Sequence, residues 1–391
     1  MRKQIAILGS TGSIGKQTLE IVKKDLKKFN IILLSTNSNV KEISHQIKIF
    51  KPKNLVVTNR EKFFHLKKKY KKINIYNNYE CFKKIFSRKI DYVMSSISGF
   101  EGLQPTIDII KYPKLIAIAN KESIICGWDF IKKKLNKNKT RFVPVDSEHF
   151  SIWSLISDKS ENIEKIFITA SGGPFLNEKR KNLKFIKPSA ALKHPKWKMG
   201  KKISIDSATM VNKVFEIIEA KKIFNLSVNK INILSHPESY VHAIVQFKNG
   251  LTKILTHDTD MKIPIFNSLY KYSDNKSYPI KINIKKLNNL NLKYVKKSQF
   301  PILKIIKYFP FKKDVLLDTV LVSANDELVD LFLKNKISFL DISKKLESVL
   351  KLKEFKKLRY KKPNNLTQII NLNKYVRLKT RALCVVSNDD A

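Results

Sequence analysis

Residues 5–15 read IAILGSTGSIG, and this stretch decides the fold that the rest of the sequence supports. The apolar residues 5–8 predict a short buried strand, which runs into glycines at positions 9, 12 and 15. A loop of this kind between a strand and a helix is typical of dinucleotide-binding domains, because glycines let the backbone approach a pyrophosphate and the helix N-terminus stabilises its charge. An ordinary tight strand–helix turn is the alternative interpretation of the glycines.

Similar short apolar segments continue through the first 145 residues, with helical segments between them. They lie at 31–34, 54–58, 91–97 and 115–119. Strands that alternate with helices predict right-handed crossovers and a parallel sheet, so we expect a Rossmann-like α/β domain over residues 1–145. The segment 35–39 has no acidic residue of the kind that marks NAD, and the residues alone leave the choice between NAD and NADP open.

The remaining chain divides into three predicted parts. They are an α/β catalytic domain at 146–270, a Lys/Asn-rich linker at 271–298 and a C-terminal helical domain at 299–391. In the catalytic domain, residues 208–224 predict one long helix. In the helical domain, apolar residues recur at three- and four-residue spacing over 314–333 and 339–350.

The composition excludes several classes of protein. The chain has 391 residues, of which 43% are hydrophobic, and no run approaches the roughly 20 apolar residues of a membrane span. Its three cysteines lie far apart, which excludes a disulfide framework and a thiolate zinc site and indicates a reducing compartment. Since the apolar run at the N-terminus is too short for a signal peptide, we expect a cytoplasmic protein with no membrane partner.

The formal net charge is +44, which suggests a nucleic-acid partner at first sight. The lysines, however, are spread over most of the chain together with Asn and Ile, as AT-rich codon usage would produce. The sequence contains no RGG tract, no C2H2 zinc-finger spacing and no aromatic-basic signature of an RNA-binding sheet. We therefore expect no specific nucleic-acid partner and only weak, salt-sensitive binding of polyanions, with a nucleic-acid-binding protein kept as an alternative function.

Two carboxylates follow the apolar strand that ends at Val145. Asp146 and Glu148 are two residues apart, so they would share a face of an extended backbone, and hard oxygen ligands so placed suit Mg²⁺ or Mn²⁺. The alternative is a helix start, with Asp146 or Ser147 as the N-cap and Glu148 in the first turn.

A third set of polar residues follows the strand predicted at 115–119. Asn120, Lys121 and Glu122 come directly after it. In open parallel sheets the carboxyl ends of the strands line the ligand crevice. Lys121 and Glu122 are therefore candidates for contact with a substrate or a nicotinamide.

Two loops further along contain residues suited to an anion. Residues 169–175 form a donor-rich turn with two glycines, and residues 194–200 place His194, which can carry a positive charge, beside Trp197. The basic stretch between them, about 171–201, predicts a lid that closes over a site. A surface histidine and a partly buried tryptophan anchor are the alternatives.

Polar residues also cluster just after the second loop. Asp206 or Ser207 predicts a helix N-cap, and Asn212 and Glu216 are four residues apart and therefore lie on one helix face. Lys213 lies beside them, so an amide, an ammonium and a carboxylate are available for a phosphorylated, polyhydroxylated substrate and a metal ion. The alternative is a solvated polar helix face.

Six strings occur together and in one order between residues 5 and 247: ILGSTGSIG, AIANKES, PVDSEH, ASGGPF, HPKWKMGKKISIDSATMVNK and HPESYVHAIV. By these strings the chain resembles the 1-deoxy-D-xylulose 5-phosphate reductoisomerase family, although only loosely over its C-terminal third. The resemblance implies a homodimeric enzyme that uses NADPH and Mg²⁺ or Mn²⁺. It rearranges and then reduces 1-deoxy-D-xylulose 5-phosphate to 2-C-methyl-D-erythritol 4-phosphate, for isoprenoid precursors. Another NAD(P)-dependent dehydrogenase on the same scaffold is the alternative.

The resemblance also implies roles for individual residues where the strings match. The cofactor-binding set is Thr11, Gly12, Ser13, Ile14, Asn37, Asn39, Asn120, Glu122 and Gly200. The metal ligands are Asp146, Glu148 and Glu216. The substrate-binding set is Lys121, Ser147, Glu148, Ser171, His194, Trp197, Met199, Ser207, Asn212, Lys213 and Glu216, of which Lys121, Glu148 and His194 are also implied to be catalytic.

The sequence departs from the family pattern at three places. Residues 37–39 read Asn-Ser-Asn where the family usually has Gly-Lys-Asn, which removes a cation suited to the 2′-phosphate of NADP. Residues 258–262 read Asp-Thr-Asp-Met-Lys against Pro-Asp-Met-Arg, and residues 323–326 read Ser-Ala-Asn-Asp against an Asn-Ala-Ala-Asn-Glu pattern. We expect the first departure to weaken discrimination against NADH and the other two to alter packing only.

Overall fold

The computed structural model describes residues 2–156, 162–270, 278, 282–295, 299–309 and 313–385. The chain forms two compact units. The first unit draws on Met1–Ser123, Phe130–Phe150 and Met261–Ile280, and the second on Ile124–Asp129, Ser151–Asp260 and Lys281–Ala391.

The first unit is built on a seven-stranded, all-parallel sheet in the order β4-β3-β2-β1-β5-β6-β7. Its strands are β1 Lys3–Leu8, β2 Phe29–Thr36, β3 Asn54–Val57, β4 Asn74–Tyr76, β5 Ile90–Ser95, β6 Pro113–Ile118 and β7 Arg141–Pro144. The apolar residues 5–8 of β1 are fully buried, as expected for a strand in the middle of a parallel sheet. The predicted parallel α/β fold is confirmed. Strand β4 was not predicted, because Ile75 is its only buried residue and leaves no apolar pattern.

The second unit contains a five-stranded mixed sheet in the order β11-β10-β8-β9-β12. Its strands are β8 Ile163–Ala170, β9 Ile231–Ser235, β10 Val241–Phe247, β11 Thr252–Thr256 and β12 Lys293–Tyr294. Strand β8 pairs in parallel with β9 and antiparallel with β10. Ile166 and Ile168 of β8 form a buried cluster with Val245 of β10 and with Ile217 and Ala220.

The helices account for most of the remaining described residues. They are α1 Ser13–Lys23, α2 Val40–Phe50, α3 Arg60–Lys69, α4 Phe82–Ile85, α5 Leu103–Ile109, α6 Lys121–Asn138, α7 Ser147–Leu155, α8 Pro188–Ala191, α9 Lys201–Thr209, α10 Val211–Ile223, α11 Lys262–Tyr270, α12 Ile284–Asn288, α13 Leu316–Leu333, α14 Phe339–Lys351, α15 Lys353–Lys356 and α16 Leu366–Val385. Ile217 and Ala220 belong to α10, so the cluster above seats that helix on the second sheet. No described helix is long and apolar enough to cross a membrane.

Three features differ from the sequence-based expectations. The single helix expected over 208–224 is wrong, because Met210 adopts a left-handed conformation (φ +64°) that separates α9 from α10. The C-terminal helix α16 lies in the predicted helical domain, but its bounds were not predicted, whereas the expected helices over 314–333 and 339–350 are present as α13 and α14. Parts of the predicted linker lie outside the described residues, and its described part holds α12 and β12, which pairs with β9.

Candidate active site

The glycine loop between β1 and α1 has the tight geometry that its spacing predicts. Gly9 has φ +77°, and a Cβ there would lie 2.6 Å from the carbonyl oxygen of Ser96, so only glycine fits. A Cβ on Gly15 would overlap the backbone of Gly9 and Ser10. Helix α1 begins at Ser13 without a side-chain cap among the described residues. Because the first amides of a helix lack intrahelical partners, this arrangement suits a pyrophosphate.

A buried polar network lies under the loop, and sequence reasoning missed it. The N–H of Gly9 donates to Ser35 Oγ at 2.8 Å, and the Tyr79 hydroxyl donates to the same oxygen at 3.2 Å. Ser10 Oγ donates to Gln46 Oε1 at 2.8 Å. Burial raises the pKa of Tyr79 to about 12, so its hydroxyl stays protonated and continues to donate. Tyr79 is 44 residues from Ser35 in sequence, and no motif could have linked them.

Side chains at the end of β2 and just after it form hydrogen bonds with nearby elements. The Asn39 side chain caps α2 by accepting from the N–H of Glu42 at 3.1 Å, and its amide NH₂ group is not used by this cap. Glu42 in turn pairs with Lys16 at 3.1 Å. Thr11, in the glycine loop, shares a hydrogen bond of 2.8 Å with Thr36 at the end of β2.

The turn between β6 and α6 is organised by the side chain of Asn120. Its Oδ1 accepts from the N–H of Ser123 at 2.7 Å, which caps α6. Its Nδ2 donates to the carbonyl oxygens of Ile97 and Gly99 at 2.6 and 2.8 Å. Nδ2 also lies 3.2 Å from Glu122 Oε2. Asn120 therefore joins the ends of two neighbouring strands, β5 and β6, at the edge where a cofactor is expected.

The carboxylates at the end of β7 form a helix start and do not lie on an extended strand. Asp146 Oδ1 accepts from the N–H of Glu148 at 3.2 Å and lies 3.0 Å from His149 Nδ1, so Asp146 caps α7. The Ser147 hydroxyl donates to the Glu148 carboxylate. The expectation of an extended backbone is wrong, and the alternative of a helix start is correct, because an aspartate side chain can accept from a first-turn N–H and is a preferred N-cap.

Asp146 is held as a carboxylate. Lys121 Nζ lies 2.9 Å from its Oδ2, and both side chains are largely buried. Burial raises the pKa of Asp146, but the Lys121 ammonium and His149 outweigh this effect and hold the pKa well below its usual value. Sequence analysis named Lys121 and Asp146 as separate candidates. In the structure they form an ion pair within the first unit.

The two loops that were predicted to bind an anion meet in the second unit. Ser171 Oγ lies 3.1 Å from His194 Nε2. The N–H groups of Lys196 and Trp197 donate to His194 Nδ1 at 3.2 and 3.0 Å, which assigns the proton to Nε2. Burial, with a smaller contribution from Lys213, lowers the pKa of His194 to about 4. His194 is therefore a neutral hydrogen-bond donor at neutral pH, and not the cation that the sequence suggested.

The junction between α9 and α10 gathers the next set of candidates. Ser207 lies in the last turn of α9, where its carbonyl oxygen accepts from the N–H of Met210, so the expectation of an N-cap at 206 or 207 is wrong. Asn212 and Lys213, in the first turn of α10, both donate to the Glu216 carboxylate. The shared helix face is confirmed. Glu216 is only 1% exposed, so the alternative of a solvated face is wrong.

The predicted lid at 171–201 contains a 3-10 helix at Arg180–Phe185 and α8. Phe185 is 79% exposed, whereas phenylalanine side chains in folded proteins are most often buried. The Trp197 ring packs edge-on against His242, with ring centroids 6.0 Å apart. Met199 is half-buried, and Gly200 is the N-cap of α9. The segment therefore leads directly into the helix that carries Ser207.

Models of one protein family match three stretches of the chain. Residues 5–127 match the family model described as 1-deoxy-D-xylulose 5-phosphate reductoisomerase. Residues 142–224 match the C-terminal domain model of the same family, and residues 257–379 match a further model, DXP reductoisomerase C-terminal domain. A family model therefore also matches the C-terminal third, where the strings show only a loose resemblance.

Individual relatives agree with the family models. A 1-deoxy-D-xylulose 5-phosphate reductoisomerase of Pelagibacter ubique is 56% identical over 98% of this chain and 100% of its own length. One of Clostridium tetani is 38% identical over 96% of this chain and 97% of its own. A crystal structure of DOX-P reductoisomerase with NADPH, fosmidomycin and magnesium is 29% identical, with a TM-score of 0.92 over 99% of both chains. The Zymomonas mobilis reductoisomerase with NADPH is 28% identical, with a TM-score of 0.86 over 98% of this chain and 99% of that one.

Proposed function

The chain belongs to the 1-deoxy-D-xylulose 5-phosphate reductoisomerase family, and from that membership we propose how its residues divide the work of the reaction. It is an NADPH- and divalent-metal-dependent oxidoreductase that converts 1-deoxy-D-xylulose 5-phosphate into 2-C-methyl-D-erythritol 4-phosphate for isoprenoid precursors. The observation that carries this conclusion is the 56% identity to a relative of that activity over almost the whole chain. The alternatives of another dehydrogenase and of a nucleic-acid-binding protein are set aside for the same reason.

We propose that Asp146, Glu148 and Glu216 are the metal ligands. The donor set fits Mg²⁺ or Mn²⁺, since all three are buried or nearly buried carboxylates and both ions prefer hard oxygen ligands. When bound, the ion supplies Lewis-acid polarisation of the substrate ketone and its neighbouring hydroxyl group. Lys121, which pairs with Asp146, would stabilise oxyanion charge that develops on the substrate.

We propose that the substrate phosphate is bound by Ser171, His194, Ser207, Asn212 and Lys213. His194 contributes a neutral Nε2–H, so the positive charge of this set comes from Lys213 and from the N-terminus of α10. A dianion held at this end of the substrate anchors a group remote from the reacting carbons. That binding energy is available to close the segment 171–201, with Trp197 and Met199, over the site.

We propose that NADPH, which supplies the hydride, lies along the glycine loop. Its pyrophosphate would contact the residues Thr11, Gly12, Ser13 and Ile14 at the start of α1. Asn37 and Asn39 would contact the adenosine end, and Asn120, Glu122 and Gly200 the nicotinamide end. The Gly9–Ser35–Tyr79 hydrogen bonds hold the loop in position for this contact.

The assigned reaction is tested by NADPH oxidation with purified 1-deoxy-D-xylulose 5-phosphate. We expect turnover that needs Mg²⁺ or Mn²⁺, stops with EDTA and returns when the metal is restored. Folded protein that binds NADPH but does not turn over this substrate would contradict the assigned reaction and leave only the dinucleotide-binding fold.

Discrimination between NADPH and NADH is expected to be weak, because residue 38 is serine where the family usually has lysine. The kcat/KM ratio for the two cofactors should lie near unity, and Ser38→Lys should raise it about tenfold by pairing with the 2′-phosphate. Ser38→Gln, which has similar length without charge, is the control. A wild-type preference as strong as that of lysine-bearing relatives would contradict the prediction.

We also propose that the enzyme is a homodimer in a reducing, cytoplasmic compartment. All three cysteines are buried and none forms a disulfide bond among the described residues, which agrees with such a compartment. Leu251 and Ile254, at the edge strand β11 and its turn, are 59% and 48% exposed and offer an apolar contact surface. Sedimentation equilibrium should give twice the chain mass, and Ile254→Lys should shift it toward the monomer. A monomer at all concentrations would contradict the proposal.

A further inference from the structure

A buried polar cluster joins α9 to α13, and the reaction scheme above does not use it. Asn325 Nδ2 donates to Asp206 Oδ1 at 2.7 Å, and Lys202 Nζ donates to Asp206 Oδ2 at 2.7 Å. Lys202 also pairs with Asp326 at 3.2 Å and lies 5.0 Å from the ring centroid of Phe215 on α10. We call Lys202, Asp206, Asn325 and Asp326 the helix clamp.

Two members of the helix clamp lie in a segment that departs from the family pattern. Residues 323–326, which include Asn325 and Asp326, read Ser-Ala-Asn-Asp against an Asn-Ala-Ala-Asn-Glu pattern. An alanine at position 325 would have no side chain that could reach Asp206, so this hydrogen bond depends on the asparagine. Asn325 and Asp326 both contact polar groups on α9, so this departure bears on polar contacts as well as on packing.

The helix clamp acts on the segment between the lid and the phosphate-binding residues. Helix α9 has nine residues and begins after Gly200, where the predicted lid ends. Asp206 directly precedes Ser207, and Asp206 is only 2% exposed. A bond that fixes the Asp206 side chain therefore fixes the backbone from which the Ser207 hydroxyl projects.

We propose that Asn325 is a positioning residue for substrate binding: by holding Asp206 it sets α9 so that Ser207 meets the substrate phosphate. The inference rests on the role proposed for Ser207. Asn325 lies on α13, which carries no other proposed substrate contact. Affinity for the substrate would therefore depend on the contact between α9 and α13.

The energetics predict a local effect on α9 and little change in global stability. Asn325 is fully buried, and its Oδ1 has no hydrogen-bond partner among the described residues. Asn325→Ala removes one hydrogen bond but also removes this unsatisfied acceptor, and the two changes oppose each other. Asp206 keeps its contact with Lys202, which still pairs with Asp326, and loses its direct hydrogen bond to α13.

The first measurement compares Asn325→Ala with the wild type in steady-state kinetics. We expect KM for 1-deoxy-D-xylulose 5-phosphate to rise about tenfold, because the lost bond is to a charged group. The kcat and the KM for NADPH should be unchanged. Ser323→Ala is the matched control, since it removes a buried bond of 2.7 Å that joins α13 to Asn373 on α16. We expect it to lower the melting temperature without changing KM.

A double-mutant cycle with Ser207→Ala distinguishes the inference from the proposed function. Ser207→Ala alone should raise KM, and Asn325→Ala should add nothing in that background. If Ser207→Ala leaves KM unchanged, the phosphate role of Ser207 fails and the inference fails with it. Two results would overturn only the inference, provided that Ser207→Ala raises KM. In the first, Asn325→Ala leaves KM unchanged. In the second, Asn325→Ala raises KM by the same factor in the wild type and in Ser207→Ala.

Hydrogen exchange supplies a second readout that does not depend on activity. Amides of residues 201–209 should exchange faster in Asn325→Ala than in the wild type, and should be unchanged in Ser323→Ala. Asn325→Ser, which is too short to reach Asp206, replaces the alanine variant if that variant folds poorly, and the same results are expected. Unchanged exchange in α9 would overturn the inference even if KM rises.

Discussion

Glu216→Gln is expected to lower kcat/KM for 1-deoxy-D-xylulose 5-phosphate at least about 100-fold, because a divalent ion contributes several kcal/mol of charge stabilisation. The substitution keeps the shape of the side chain and an oxygen that can accept from Asn212. It removes one negative charge from the proposed ligand set and an acceptor from Lys213. Turnover should therefore also need a higher concentration of Mg²⁺ or Mn²⁺. NADPH oxidation measured across a titration of each metal checks both effects.

Glu219→Gln is the matched control for this experiment. Glu219 lies on the same helix, three residues further on, and is 1% exposed, as Glu216 is. It belongs to none of the proposed ligand or substrate sets, so its activity and metal requirement should stay close to those of the wild type. Wild-type metal dependence in Glu216→Gln would contradict the ligand role. Equal losses in both variants would show that charge in a buried part of α10, and not metal binding, explains the effect.

The parallel sheet could be predicted because its strands are short apolar runs between helices. Residues 5–8 meet the glycine loop directly, and the loop geometry follows from a clash that only glycine avoids. Strand β4 and helix α16 could not be predicted in this way. Strand β4 has one buried residue, and Asn373 and Thr380, two of the buried residues of α16, are polar, so neither element shows a clear apolar periodicity.

Candidate site residues could be predicted where their spacing has only one structural meaning. Asn212 and Glu216 share a helix face whatever surrounds them, and the structure confirms it. The backbone conformation at Asp146 could not be predicted, because an acidic residue after a strand can either continue the strand or cap a helix. The charge state of His194 could not be predicted from sequence either. It depends on burial, which lowers the pKa of His194, and on backbone N–H groups that donate to Nδ1.

Lys222→Met is expected to lower the free energy of unfolding by about 3–5 kcal/mol, because removing one partner of a buried ionic cluster leaves uncompensated charge. Lys222 is fully buried between Asp314 and Asp318, at 2.7 and 2.6 Å, and also donates to the carbonyl oxygen of Ile125. The N–H of Asp129 donates to Asp314 at 2.8 Å. Methionine fills similar space but leaves the two carboxylates facing each other. The midpoint of urea denaturation at neutral pH measures the loss.

The loss should depend on pH in a direction that the structure fixes. Burial raises the pKa of Asp314 even with Lys222 present to lower it. A carboxyl group whose pKa is raised in the folded state supports folding below its unfolded pKa and loses that support as pH rises through the folded pKa. Removing Lys222 takes away the main influence that lowers the pKa of Asp314, so the destabilisation should be largest near neutral pH and should shrink toward about pH 5.

Lys221→Met provides the comparison that decides between lost charge pairing and lost packing. Lys221 is also fully buried, but its ammonium donates to the carbonyl oxygen of Phe309 at 3.1 Å, and burial lowers its pKa to about 8. Methionine at position 221 removes one hydrogen bond and an ammonium that is costly to bury, so stability should change by less than about 1.5 kcal/mol. If the two methionine variants lose equal stability, the loss reflects side-chain packing, because only Lys222 lies between two carboxylates. If Lys222→Met is also insensitive to pH, the ionic account of the cluster is wrong.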